Sequence, residues 1–297
     1  MSEKIQYYRP RPTSPGKEEP RDPKVRRATK GGPALLLSHA AHEGDGDPAL
    51  VLSNFKNIVV LGDSYSADTG STNWIDFLLE RLPAHSRPSV HNFAVAGATA
   101  EKEMEAQVNH LFSKLPSAKS LEGKTLIVIW FGINDCDTPD AGDLKPIVEQ
   151  VLDVMHKLYI KWMGRSFLLI DVPPMHRSPE GVDLKLDDEC YTTWNQELLT
   201  QAQSFAESTA EASVHVVSSY HIITDFLDHL EAHGLQDSIE ELDTDSKSSA
   251  NDSGSLENDD DPESKKKVPV AMWEDDVHLS KAANKAFADR LWEALRE

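Results

Sequence analysis

The chain has 297 residues, 39% of them hydrophobic, so it can form one large domain or two small ones around a real core. Its net charge of −20 and pI near 4.9 argue against nucleic acid or an anionic membrane as the main partner. The longest apolar run, residues 125–133, is far short of the ~20 residues that span a bilayer, so no transmembrane segment is predicted. The first residues lack the apolar core of a secretory signal. If the chain starts here, we expect an intracellular, cytoplasmic protein whose two cysteines, Cys136 and Cys190, are reduced thiols.

Two segments have the composition of solvated chain. Residues 1–33 are rich in Lys, Arg, Pro and Gly without apolar periodicity, and residues 1–54 as a whole are predicted to form a disordered basic arm. Residues 236–267 are rich in Ser, Asp and Glu and are predicted to be a disordered acidic insertion. One folded domain is therefore predicted over residues 55–297, interrupted by that insertion.

Strand and helix patterns alternate along this domain. Five short runs, apolar on both faces, are typical of buried parallel strands. They are NIVVLG from Asn57, SVHNFAV from Ser89, TLIVIWFG from Thr125, SFLLIDV from Ser166 and SVHVV from Ser213. Helical patterns occupy residues 73–82, 147–160 and 221–234, the last ending at Gly234, and a final helix is capped by Ser280. This alternation predicts an α/β fold with helices on both faces of a mostly parallel sheet, which binds ligands at the carboxyl ends of its strands.

The predicted strand ends carry small or amide-bearing residues that can present hydrogen-bond donors. An Asp and a His also stand three residues apart just before the last helix. The residues concerned are Gly62, Asp63 and Ser64 after the first strand, Asn92 and Gly97 after the second, Gly132, Asn134 and Asp135 after the third, and Asp275 and His278 near the C-terminus.

Acyl transfer requires a nucleophile, a base, an acid that orients the base, and donors for the oxyanion. The chain offers Ser64, His278, Asp275 and the donors for these roles. Each pattern alone is common, since Gly-Asp-Ser is an ordinary turn and Asp-x-x-His is more often a surface pair. Their order and their placement at the strand ends indicate a catalytic site.

The four segments around Ser64, Gly97, Asn134 and the Asp275–His278 pair resemble the four sequence blocks of the SGNH, or GDSL-type, hydrolases. The resemblance runs from Asn57 to about Glu297 apart from the acidic insertion. Within that family the sequence is most similar to the acetylesterases of carbohydrate esterase family 16. The segments that carry this similarity include WFG at residues 130–132 and FLLIDVPPMHRSP at residues 167–179. The family often has leucine after the serine, whereas this chain has Tyr65. The blocks are VVLGDSYSADTG with Ser64, NFAVAGATA with Gly97, WFGINDCD with Asn134, and DDVHLS with Asp275 and His278.

The resemblance implies a three-layer α/β/α sandwich, flavodoxin-like, around a five-stranded, mostly parallel sheet. It also implies a serine esterase in which Ser64 is the nucleophile, His278 the base and Asp275 the orienting acid. The oxyanion hole would consist of the backbone N–H groups of Ser64 and Gly97 and the side-chain amide of Asn134. Asp276 competes with Asp275 as the orienting acid, and the family spacing favours Asp275.

The implied substrate is a short-chain acyl ester, an acetyl ester such as an O-acetylated sugar, with no cofactor and no metal. We expect a small-molecule ester or acetylated saccharide as the partner, and we expect neither nucleic-acid binding nor a membrane span. The sequence does not indicate the oligomeric state. Three alternatives stay open: a lysophospholipase or thioesterase of the same fold, a catalytically silent binding module, and a metal-dependent phosphoesterase. The last would use Asp63, Asn134, Asp135, Asp275 and His278 as ligands.

Overall fold

The computed structural model describes residues 26–27, 34–38, 50–137, 141–209, 211–236 and 270–296. The strands are β1 Arg26–Arg27, β2 Ala34–Ser38, β3 Phe55–Gly62, β4 Ser89–Asn92, β5 Lys124–Trp130, β6 Ser166–Ile170, β7 Ser213–Val217, β8 Leu235–Gln236 and β9 Val270–Ala271. The helices are α1 Trp74–Glu80, α2 Met104–Lys114, α3 Leu144–Lys157, α4 Pro179–Leu184, α5 Glu189–Ser208, α6 Ser219–Asp228 and α7 Lys281–Ala294. None of the helices in these ranges has both the length and the apolar character needed to cross a bilayer.

A single sheet with the strand order β1-β2-β7-β6-β5-β3-β4 organises the fold. Its strands from β7 to β4 are all parallel, and they are the five strands that the sequence predicts. Strands β8 and β9 form a separate two-stranded parallel sheet that joins the chain on either side of the acidic insertion. Residues 237–269, on which most of the predicted insertion falls, lie outside the described residues.

The start of the chain differs from the sequence expectation of a disordered arm over residues 1–54. Strand β2 lies antiparallel along β7, with Ala34 opposite Val217 and Ser38 opposite Ser213, and β1 pairs with β2. Leu50 and Leu52 are buried. Without β2, one edge of strand β7 would present a row of unpaired N–H and C=O groups. The backbone of β2 forms hydrogen bonds with these groups. The rest of the arm lies outside the described residues.

Helices cover both faces of the sheet. Trp130 of β5 stacks on Phe287 of α7 with ring centroids 5.1 Å apart, and α7 packs against α1. Phe167 of β6 contacts Phe205 of α5 at 5.2 Å, and α5 packs against α3. Since Phe167 is paired with Ile127, three residues before Trp130, the two aromatic rings point to opposite faces of the pleated sheet. The predicted three-layer α/β/α arrangement is confirmed.

The predicted helix boundaries follow from local hydrogen bonding. Asn73 accepts the Ile75 N–H, and Asp76 accepts the Asn73 N–H in return, which begins α1 with a capping box. Ser280 accepts the Ala283 N–H and begins α7, as the sequence predicts. Helix α6 ends at Asp228, earlier than the sequence predicts, and Gly234, with φ +69°, ends the separate 3₁₀ turn that follows it.

The carboxyl ends of β3 and β5 lie side by side at the position where strand order reverses. Strand β3 has β4 on one side and β5 on the other, so its end faces the crevice where parallel sheets bind ligands. Gly62 and Trp130, the last residues of the two strands, are paired. A Cβ on Gly62 would lie 2.7 Å from the Trp130 carbonyl oxygen, so only glycine permits this approach.

The buried side chain of Gln107 on α2 completes the end of β3. The Gly62 N–H donates to its Oε1 at 3.0 Å, and its Nε2 donates to the Gly62 carbonyl at 2.7 Å. The Gln107 amide thus forms the pair of hydrogen bonds with the Gly62 backbone that a neighbouring strand would otherwise provide.

We predict that Gln107→Met, which keeps the length of the side chain, lowers the free energy of unfolding by about 2 kcal/mol because the Gly62 N–H becomes buried without a partner. Urea denaturation measures the change. The control is Gln196→Met on the exposed face of α5, which should change stability by less than about 0.5 kcal/mol. Equal stability of Gln107→Met and the wild type would contradict the prediction.

Candidate active site

Ser64 lies in a tight turn directly after β3. The carbonyl of Asp63 accepts the N–H groups of Ser66 at 3.1 Å and Ala67 at 2.9 Å. The Asp63 carboxylate accepts the Tyr65 N–H at 3.0 Å. These bonds turn the chain away from the sheet within three residues and leave Ser64 half-buried at the surface of the crevice, with both neighbours buried.

The His278 imidazole lies between Ser64 and Asp275. Its Nε2 is 2.9 Å from Ser64 Oγ, and its Nδ1 is 2.8 Å from Asp275 Oδ2. A carboxylate can only accept, so Nδ1 carries the proton and Nε2 is left to accept the Ser64 hydroxyl hydrogen. The three side chains therefore form a continuous chain of hydrogen bonds with the direction that nucleophile activation requires.

The segment that carries His278 is a narrow loop. The N–H of Glu274 donates to the His278 carbonyl at 2.8 Å, and Trp273 forms an antiparallel bridge with Leu279. Asp275 Oδ1 accepts the N–H groups of Val277 at 2.9 Å and His278 at 2.6 Å. Burial alone would raise the pKa of the Asp275 carboxyl, but these bonds and the imidazole more than offset it and lower the pKa below its usual value.

Asp275 and Asp276 have different surroundings. The Asp275 carboxylate contacts the His278 ring, whereas the backbone carbonyl of Asp276 accepts the Glu180 N–H at 3.0 Å. Of the two acids that the sequence offers, the structure places Asp275 beside the imidazole.

Gly97 and Asn134 reach the same crevice from the segments after β4 and β5. Gly97 has φ +73°, in a turn in which the Ala98 N–H donates to the Val95 carbonyl. The Asn134 amide donates one hydrogen to the Ala98 carbonyl at 2.9 Å, which leaves its second hydrogen available to the crevice. Ser64, Gly97 and Asn134, the predicted oxyanion-hole residues, are brought together.

Two cavities meet at Ser64 and His278. Both cavities have mostly apolar surfaces. The Met175 cavity, of about 280 Å³, has Asp137 and Glu180 in its wall, and the Thr72 cavity, of about 270 Å³, has hydroxyl and amide groups together with Glu274 and Asp275 in its wall. The Met175 cavity is lined by Ser64, Tyr65, Gly97, Ile133, Asn134, Asp137, Met175, Ser178, Glu180, Leu186, Tyr191, Val277 and His278, among others. The Thr72 cavity is lined by Ser64, Tyr65, Thr69, Ser71, Thr72, Asn73, Glu274, Asp275, His278 and Asn284, among others.

Asp135 connects two of these segments beneath the crevice. Its carboxylate accepts the Ala100 N–H at 2.9 Å and the Glu101 N–H at 3.1 Å, so the segment bearing Gly97 is fixed to the one bearing Asn134. Burial raises the pKa of Asp135. Burial also raises the pKa of Asp63 to about 7, because the Tyr65 N–H only partly compensates for the lost solvation.

The remaining candidates have other surroundings. The His176 ring stacks between Tyr191 and Tyr220, with centroids 6.0 and 6.2 Å away. The Asn92 amide donates to the Ser66 carbonyl at 2.6 Å and supports the turn after Ser64. In the part of the chain that the structure describes, no group of three or more His, Cys, Asp or Glu side chains is arranged to hold a metal ion.

Two solved structures share the fold of this chain. A structure from Parabacteroides merdae ATCC 43184, named as a GDSL-like lipase, matches with a TM-score of 0.51 and 12% identity, covering 84% of this chain and 99% of that one. An acetyl xylan esterase, AlAXEase, matches with a TM-score of 0.50 and 15% identity, covering 80% and 98%. The comparison with curated proteins found no match.

The family match defines an enzyme that hydrolyses carboxylic esters. The family model described as GDSL-like Lipase/Acylhydrolase matches residues 58–291, so the chain belongs to that family.

Sequence reasoning does not find Gln107 or the walls of the cavities. Gln107 stands in the middle of a helix, and nothing in its neighbourhood distinguishes it from an exposed glutamine. Met175 and Tyr191 reach the site from segments that follow other strands. Among them, Met175 could have been recognised as a site residue only by its position after a predicted strand end.

We predict that Asp63→Asn becomes progressively more stable than the wild type as the pH rises. A carboxyl whose pKa is raised from 3.8 to about 7 stabilises the folded state at low pH, and that stability is lost between about pH 4 and pH 7. The difference in unfolding free energy between variant and wild type should grow by roughly 4 kcal/mol over this window.

Urea denaturation at several pH values tests this prediction. Asp68→Asn is the control, because Asp68 is exposed on the same loop and its replacement should cost little at any pH. A difference between Asp63→Asn and the wild type that stays constant with pH would contradict the assignment of a buried proton to Asp63.

Proposed function

We propose that the protein is a serine esterase that hydrolyses short-chain acyl esters, in particular acetyl esters such as O-acetylated sugars, like the family 16 carbohydrate esterases that its sequence resembles. The observation that carries the proposal is the chain of hydrogen bonds from Ser64 through His278 to Asp275. It is the arrangement that converts a serine hydroxyl into a nucleophile.

In the proposed mechanism, Ser64 Oγ attacks the ester carbonyl while its proton passes to His278 Nε2. The Asp275 carboxylate holds the imidazole in the required tautomer and stabilises the imidazolium that forms. When the tetrahedral intermediate collapses, His278 gives the proton to the leaving alcohol. A water molecule then attacks the acyl-Ser64 carbonyl while His278 takes its proton. His278 returns that proton to Ser64 Oγ as the second tetrahedral intermediate collapses and the carboxylic acid is released.

The proposed oxyanion hole consists of the Ser64 and Gly97 N–H groups and the second hydrogen of the Asn134 amide. The Asn134 side chain is already oriented by its bond to the Ala98 carbonyl, so little reorganisation is needed during the reaction. A side chain at position 97 would be strained by the positive φ of that residue.

The lining of the two cavities supports the choice of substrate. The carbonyl oxygen must reach Gly97 and Asn134, so we infer that the acyl group enters the Met175 cavity, which these residues line. The alcohol then leaves through the Thr72 cavity, whose hydroxyl and amide groups suit the hydroxyl groups of a sugar.

A second candidate is a lipid-directed lysophospholipase or thioesterase. Leu186, which lines the Met175 cavity, is 40% exposed, and Val182 and Leu184 beside it on α4 are 62% and 63% exposed. These side chains would suit a long acyl chain that extends out of the cavity.

The experiment that separates the two candidates is hydrolysis of p-nitrophenyl esters from acetate to palmitate by the wild type and by Ser64→Ala. We expect the highest kcat/KM for acetate and a loss of at least about 1000-fold in Ser64→Ala. A maximum at long chains would favour the lipid-directed enzyme. Equal activity of Ser64→Ala and the wild type would overturn the serine mechanism.

We further predict that Asp275→Asn lowers kcat by about 100-fold or more, because an amide cannot accept the Nδ1 proton in the same way and stabilises the imidazolium less. Asp276→Asn is the matched control, since the two acids are adjacent and the contact of Asp276 is through its backbone. It should retain kcat within about threefold. Steady-state kinetics with p-nitrophenyl acetate measures both, and the reverse order would assign the orienting role to Asp276.

A further inference from the structure

Tyr65 connects the nucleophile to the loop that carries the base. It follows Ser64 directly, and its hydroxyl donates to the Val277 carbonyl at 2.6 Å, across 212 residues of chain. The other contact of the hydroxyl, the Met175 sulfur at 3.5 Å, is longer and involves a weaker acceptor. The side chain is 7% exposed.

The Val277 carbonyl belongs to the same peptide group as the His278 N–H. That N–H donates to Asp275 Oδ1 at 2.6 Å, so the planar group is held at both ends, by Tyr65 at its oxygen and by Asp275 at its nitrogen. The orientation of this peptide group sets the direction in which the His278 side chain leaves the backbone.

The Tyr65 ring occupies a fixed position as well. It packs edge-to-face on Trp130 of β5 with centroids 5.4 Å apart, and the His278 ring lies 5.9 Å away on another side. The backbone N–H of Tyr65 is bound by Asp63. Burial and the nearby carboxylates raise the pKa of Tyr65 well above its usual value, so the hydroxyl keeps the hydrogen that it donates.

We propose that Tyr65 is a positioning residue, whose hydroxyl aligns His278 with Ser64 by holding the Val277–His278 peptide group. An apolar side chain of the same size would fill the space but could not donate. The inference rests on the proposed serine esterase function and adds to it a residue that does not touch the substrate's reacting atoms.

The test is Tyr65→Phe, which keeps the ring and removes only the hydroxyl. With p-nitrophenyl acetate we expect kcat to fall about 10- to 100-fold and KM to change less than about twofold, because the base is misaligned while the cavity stays intact. The rate at which a fluorophosphonate modifies Ser64 should fall by a similar factor. Amide hydrogen exchange in residues 273–279 should become faster.

A double-mutant cycle distinguishes positioning from a general loss of structure. If Tyr65 acts through the Asp275–His278 pair, Tyr65→Phe should cost much less in the Asp275→Asn background than in the wild type. Ile127→Val, in the buried centre of β5, is the stability control. Ile127→Val should shift the unfolding midpoint about as much as Tyr65→Phe does, and it should leave kcat and the rate of Ser64 modification unchanged.

Several results would overturn the proposal: kcat of Tyr65→Phe within twofold of the wild type, a change in KM alone, additive effects in the double-mutant cycle, or an equal loss of kcat in Ile127→Val. Unchanged hydrogen exchange in residues 273–279 would do so without any activity measurement. A wild type that neither hydrolyses esters nor reacts at Ser64 would overturn the esterase function as well. An active wild type with an equally active Tyr65→Phe would overturn only the role of Tyr65.

Discussion

The pairing of β3 with β5 is the constraint on which the crevice depends. Because Gly62 lies opposite Trp130 in the parallel register, both strands end at the same level, and Ser64 and Asn134 follow within a few residues. A side chain at Gly62 would meet the Trp130 carbonyl oxygen and push these two strand ends apart. The spacing between Ser64 and Asn134 is therefore set by the sheet itself.

The position of His278 has a different origin. His278 is 214 residues from Ser64 in the chain, and its loop is attached by a few individual hydrogen bonds, including those from Glu180 and Tyr65 to consecutive carbonyls. A sheet distributes its stability over many contacts, whereas such a loop can move when one bond is lost. In the proposed mechanism we therefore expect activity to be more sensitive to the attachment of this loop than the fold is.

Strands β3, β5 and β6 could be predicted because each is a largely continuous apolar run, and a strand covered by helices on both faces leaves that pattern in the sequence. Strand β4 exists as predicted, but it is an edge strand whose residues are exposed or half-buried rather than buried on both faces. The cap at Ser280 is local and could be predicted as well. Strand β2 could not, because its partner β7 is far away in the chain and a run of four apolar residues allows many pairings. The residues of the catalytic blocks are recognisable in sequence, but the contact from Tyr65 to Val277 is purely tertiary.

The charge of the site narrows the substrates that the proposed reaction can accept. The Met175 cavity has Asp137 and Glu180 in its wall. Burial together with the Glu180 carboxylate raises the pKa of Asp137 to about 6, so Asp137 is largely ionised at neutral pH. Asp275 adds a third carboxylate behind His278. These charges favour the imidazolium that forms during attack, and they repel an ester that carries negative charge close to the reacting carbonyl. A neutral acyl group on an uncharged alcohol meets no such penalty, which is the electrostatic reason to prefer an acetylated sugar to an anionic ester.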